Sequence, residues 1–90
     1  MGKRKENPLK QLPQNYNEKG EIKIHLKELM EKKNVSLNQV HFRTELQRTQ
    51  LRNYRDNKIQ RLDIDILLKL CYVFECDLHD LIEYIPPKIE

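Results

Sequence analysis

Ninety residues suffice for one domain, and a chain this short buries only about 60–65% of the surface that unfolding exposes, so its stability is modest. With 38% hydrophobic residues, four Tyr, two Phe and no Trp, the core has to be assembled mainly from Leu, Ile and Val, most economically on amphipathic helices. The net charge of +3 is laid out unevenly: residues 1–20 hold five basic and two acidic side chains, residues 21–61 ten and five, and residues 62–90 two and seven. A positive middle and a negative end suit a polyanionic partner on one face and repel it from the other. No apolar run approaches the roughly 18–20 residues that cross a bilayer, and the basic amino terminus has no apolar stretch behind it. A cytoplasmic protein is therefore expected.

Residues 1–20 contain two prolines and both glycines without an amphipathic period, and read as a flexible basic arm. Lys3, Arg4, Lys5 and Lys10 would let such an arm reach a minor groove, or else simply solubilise the chain. Residues 21–90 form the domain, and from Ile22 to Ile85 it contains neither Gly nor Pro. The first helix is expected from Ile22, with Leu26, Leu29 and Met30 recurring at the spacing of a buried stripe, through Lys33. Asn34, a residue that tolerates the left-handed conformation, ends it.

Ser36 and Gln39 form a capping box that opens the second helix, on which Leu37, Val40 and either Thr44 or His41 face inward. The third helix, RTQLRNYR, is held by Leu51 and Tyr54 alone and is polar over the rest of its circumference. So narrow an apolar strip gives its polar face a task other than packing. DNKIQR follows as a charged loop, and Asp63 or Asp65 caps a fourth helix carrying Ile66, Leu67, Leu70, Cys71, Val73 and Phe74. Asp77 caps a short fifth helix, with Asp80 where the positive end of the dipole favours an anion and with Leu78, Leu81 and Ile82 packing back. Ile22–Ile24 and Tyr84–Ile85 are β-branched or aromatic and are able to pair as a small ribbon. Cys71, Cys76 and His79 have the spacing Cys-x4-Cys-x2-His, but no fourth ligand accompanies them, so packed, reduced thiols are expected and no metal.

Two short helices joined by a three-to-four-residue turn, the second opening Arg-Thr-Gln, have the geometry that lays a helix into the major groove of DNA. Arg reads guanine, and Asn and Gln read adenine, through paired hydrogen bonds. The third helix supplies all three residue types. There is no nucleophile with a positioned base, no phosphate-cradling glycine loop and no metal set, so an enzyme and a cofactor are not expected.

SLNQVHFRTELQRTQLRNYRDNK followed by LDIDILLKLCYVFECDLHDLIEYIP resembles the Cro/CI-type, or XRE-like, helix-turn-helix domain over residues 22–86. The resemblance implies an all-α, five-helix, lambda-repressor-like DNA-binding domain. It further implies a homodimer on a short inverted-repeat operator, and a transcriptional regulator, in all expectation a repressor, of phage, plasmid or mobile-element type. Position by position, the base contacts fall on Arg48, Thr49, Gln50, Arg52 and Asn53. Phosphate contacts fall on Asn57, Lys58 and Arg61, and the hydrophobic anchors on Val40, Leu46, Leu51 and Tyr54. The sequence departs from the family at His41, where a small residue is usual, at Leu37, where a phosphate-touching Gln is common, and at Glu45, where the turn has Gly. A left-handed Glu45 costs on the order of 1 kcal/mol, so a longer or tilted turn is expected. The dimer surface is expected to include the last helix and Tyr84–Ile85. The alternative reading is a protein-binding module on the same fold, antitoxin-like or an inhibitory phage protein, motivated by the acidic surface after Asp63 and by the altered turn.

Overall fold

The computed structural model describes residues 8–14 and 19–87. Of the expected arm, residues 1–7 and 15–18 lie outside the described residues, and with them Lys3, Arg4 and Lys5; residues 8–14 contain no helix or strand. The order of elements is β1 (Glu21–Ile24), α1 (Leu26–Lys33), α2 (Leu37–Thr44), α3 (Arg48–Arg55), α4 (Ile64–Phe74), α5 (Leu78–Leu81) and β2 (Ile82–Ile85). No helix among them is long and apolar enough to cross a membrane.

The expectation of a purely helical domain needs one correction, since five helices are joined by an antiparallel ribbon in which Ile22 faces Tyr84 and Ile24 faces Ile82. Helix α1 accordingly starts at Leu26, not at Ile22. The reason is periodic: Glu21, Ile22, Lys23 and Ile24 alternate charged with β-branched residues, the two-residue repeat of a strand. The ribbon brings the two ends of the domain together. Its entry demands glycine, because Gly20 lies at φ +100° and a Cβ there would stand 2.6 Å from the Ile85 carbonyl oxygen. His25 locks the exit: its backbone N–H donates to Leu81 at 2.7 Å, and its ring Nε2 lies 2.7 Å from the Glu83 carboxylate.

One core collects the inner stripe of every helix: Leu26, Leu29 and Met30 from α1, Val40 from α2, Leu51 and Tyr54 from α3, Ile66, Leu70 and Phe74 from α4, and Leu81 from α5. Ile24 of β1 and Leu46 of the α2–α3 turn complete it. Without internal glycine, the chain makes its tight reversals with Asn34, Glu45, Asn57 and Glu75, all left-handed with φ between 52° and 62°. Each of the two Glu residues carries strain of about 1 kcal/mol, while Asn tolerates the conformation better. Asn34 ends α1 as its sequence position predicts.

Asp63, rather than Asp65, caps α4, accepting from the backbone N–H groups of Asp65 at 2.8 Å and Ile66 at 3.4 Å. The α3–α4 loop is held from both sides. Tyr54, buried in the core, accepts a 3.0 Å bond at its hydroxyl from the Asp63 N–H. Asn57 accepts from the Ile24 N–H at 2.7 Å and donates to the Ile24 carbonyl at 3.0 Å, which stitches the loop to β1.

Candidate nucleic-acid interface

The interface rests on how α2 delivers the chain into α3. Ser36 and Gln39 make the expected capping box, with Gln39 N–H donating to Ser36 Oγ at 3.2 Å and Ser36 N–H to Gln39 Oε1 at 2.7 Å. At the other end only Glu45, Leu46 and Gln47 separate α2 from α3. The turn is not lengthened: Glu45 takes the left-handed position itself, at φ 62° and ψ 17°. Two neighbours hold it there. Buried Thr44 donates its hydroxyl to the Val40 carbonyl at 2.8 Å and accepts from the Leu46 N–H at 3.2 Å. His41, half-buried where a smaller residue was expected, donates from Nδ1 to the Leu46 carbonyl at 2.6 Å. These bonds satisfy both backbone groups of buried Leu46 in a segment with no helical partner of its own.

Helix α3 is anchored by Leu51 and Tyr54, three residues apart on its inner side, both buried. Arg48, Thr49, Gln50 and Arg52 are exposed and Asn53 is half-buried, so the five residues expected at base edges sit on one eight-residue helix. With its side chains an α-helix is about 10–12 Å across, and the major groove is about 12 Å wide. Arg48 and Arg52, four residues apart, share a face.

Asn38, on the first turn of α2, accepts from Arg48 Nε at 2.7 Å. This residue is invisible to motif reading, ten positions upstream, yet it holds the guanidinium by Nε, and neither terminal NH2 group is in a hydrogen bond among the described residues. Gln50 lends its amide oxygen to the Gln47 N–H at 3.3 Å, a bond that opens the helix. Arg55 is different. It forks onto Asp56 at 2.9 and 3.1 Å, and this bond holds the Asp56 carboxyl below the usual carboxylate range and raises the Arg55 guanidinium.

Lys58 follows one residue after the left-handed Asn57, and its backbone N–H donates to the Asn53 carbonyl at 2.8 Å. Its side chain is exposed at the end of α3. Arg61 is also exposed and lines a small hollow with Ile22, Ile24, Asn57 and Leu62 at the ribbon. Among the described residues, Arg52, Lys58 and Arg61 belong to no ion pair. The amide of Asn57, expected at a phosphate, is engaged by the Ile24 backbone.

Cys71 and Cys76 are free thiols, half-buried on the inner side of α4's last turn and just beyond it. Burial first, and then the neighbouring Cys71, push the Cys76 thiol up to about 11. Such a thiol is a poor nucleophile and a poor ligand at neutral pH. A group with metal-ligand chemistry among the described residues is Asp77, His79 and Asp80, all exposed, and neither cysteine belongs to it.

A comparison with known proteins agrees with this geometry. The family model described as the Cro/C1-type HTH DNA-binding domain matches residues 25–87. No curated protein matches the chain. The match begins beside α1, ends just past β2 and takes in every helix, so the chain belongs to the Cro/C1-type HTH DNA-binding domain family.

Proposed function

We propose that this protein is a sequence-specific regulator of transcription that binds double-stranded DNA by laying α3 into the major groove. The observation that carries the reading is the outward face of α3, where Arg48 is aimed by Asn38 while its two terminal nitrogens stay free for the O6 and N7 of a guanine. Arg48, Thr49, Gln50, Arg52 and Asn53 read base edges. Lys58 and Arg61 contact phosphates, and Asn57 serves the same loop by tying it to β1. Contacts of the second kind give affinity without sequence information.

A single eight-residue helix spans too few base pairs for useful specificity, which favours a homodimer on an inverted-repeat operator with half-sites about one helical turn apart. Repression is the simplest consequence of such binding at a promoter, and a phage, plasmid or mobile-element gene is the proposed target. The place of action is then the cytoplasm, and no catalytic step is assigned.

The test is selection of bound duplexes from a random pool, followed by titration of the selected site at several salt concentrations. Affinity should fall steeply with salt, with a slope of log affinity against log salt near −0.9 for each phosphate engaged. The protein-binding module is the better reading if no duplex is selected and no salt-dependent binding is found.

A further inference from the structure

Helix α4 carries two apolar stripes. Ile66, Leu70 and Phe74 close the core, while Ile64, Leu68 and Tyr72, spaced by four residues on another face, are 73, 64 and 85% exposed. Phe42 of α2, 71% exposed, lines with Tyr72 one groove of about 930 Å³ between α2 and the carboxyl-terminal half of α4. At roughly 200 Å² for each large side chain, these four leave on the order of 600 Å² of apolar surface in water. That is the upper end of what a monomer exposes. It falls short of the roughly 800 Å² that each partner contributes to a stable interface by an amount the polar groove walls can supply.

The walls carry opposite charge. Lys33 and Arg43 stand on the α1–α2 side, and Glu75 and Asp77 on the side of α4's end. Among the described residues none of the four is in an ion pair. A two-fold contact sets a patch against itself, so the patch must complement itself. An axis running between the two walls meets that demand, because it faces the cationic wall of each copy with the anionic wall of the other and brings the aromatic side chains together. The last helix and the ribbon, the dimer surface expected from sequence, offer less: Leu81 is fully buried and Ile82 and Ile85 are half-buried, which leaves Leu78, Tyr84 and Ile22.

We infer that the α2–α4 groove and the outer stripe of α4 are a self-association surface, on which a second copy of this chain docks in the absence of DNA. None of its residues is assigned to DNA, so the inference stands or falls separately from the proposed function. Sedimentation of the full chain without DNA tests it, on the wild type, on Leu68→Ser/Tyr72→Ser, on Arg43→Glu, on Arg43→Glu/Glu75→Arg and on Tyr84→Ser. The wild type should dimerise below about 500 µM. The double serine variant should weaken the dimer at least about tenfold with an unchanged thermal midpoint, since both positions are exposed. Arg43→Glu should weaken it as well, and adding Glu75→Arg should restore it; Tyr84→Ser should leave it unaltered. A wild type that stays monomeric, or a dimer indifferent to Leu68→Ser/Tyr72→Ser, overturns the inference. So does a dimer lost only in Tyr84→Ser.

Discussion

Arg48 and Asn38 show what one hydrogen bond does for the proposed reader of bases. A free arginine gives up about 0.5–1.5 kcal/mol of rotamer freedom when it is fixed at an interface. The 2.7 Å bond from Nε to Asn38 fixes it in advance. Asn38→Ala should therefore weaken the selected DNA site by about 0.5–1.5 kcal/mol and leave the salt slope unchanged. In an Arg48→Ala background the same change should cost nothing further, which a double-mutant cycle measures. Cys76 makes a different residue-scale prediction. Its folded value of about 11 lies above the 9.0 of an unperturbed thiol, so the folded state holds the proton more tightly than the unfolded state. The resulting stability is fully present below pH 9.0 and is lost as pH rises through about 11. Unfolding free energies of the wild type and Cys76→Ala from urea titration, which should differ by about 1–2 kcal/mol at pH 7, should draw together over that range. DNA affinity of the variant at pH 7 should match the wild type.

The α2–α3 turn joins sequence to function at the scale of elements. Replacing left-handed Glu45 with Gly should stabilise the domain by up to about 1 kcal/mol, because the strain removed outweighs the freedom that glycine gives the unfolded chain. Thr44→Val should destabilise it by about 1–3 kcal/mol, because the buried Leu46 N–H loses its acceptor. Thermal or urea unfolding of both variants checks the pair. The same turn shows how far the sequence was legible. The apolar stripes, the Ser36–Gln39 box and the Asn34 terminus were readable because their signals are local: a period, a cap, a left-handed residue. The strain of a left-handed Glu45 points to a longer turn because that cost is local as well, whereas the bonds from Thr44 and His41 that offset it depend on the folded turn. The expected start of α1 at Ile22 lies four residues before the observed one at Leu26 for a related reason. Ile22 fits the spacing of a helix as well as the alternation of a strand, and the strand prevails through a partner 62 residues away in sequence, Tyr84. Asn38, the Arg55–Asp56 fork and the Asn57–Ile24 stitch are pairings between elements, and no pattern along the chain announces them.

For the whole molecule, the uneven charge along the chain becomes a division of labour. Arg52 on α3 and Lys58 and Arg61 in the loop after it belong to no ion pair among the described residues, while Asp65 lies on α4, Asp80 on α5 and Glu83 on β2, with Asp63, Glu75 and Asp77 at the ends of α4 and α5. The outer stripe of α4 is the surface proposed for protein contact. The two tasks should separate experimentally. At saturating protein, mass measurement of the complex should show two protomers on the selected operator. One protomer per operator would dismiss the homodimer.

The central claim, that α3 reads bases while the loop after it holds phosphate, is tested most directly by titrating wild type, Arg48→Ala and Lys58→Ala on the selected and a random duplex at several salt concentrations. Arg48→Ala should lose about 1–3 kcal/mol on the selected site, relax preference at one base pair per half-site and bind random duplex almost as the wild type does. Lys58→Ala should weaken both duplexes alike and reduce the salt slope by about one unit. An Arg48→Ala variant with unchanged affinity and unchanged base preference would contradict the account.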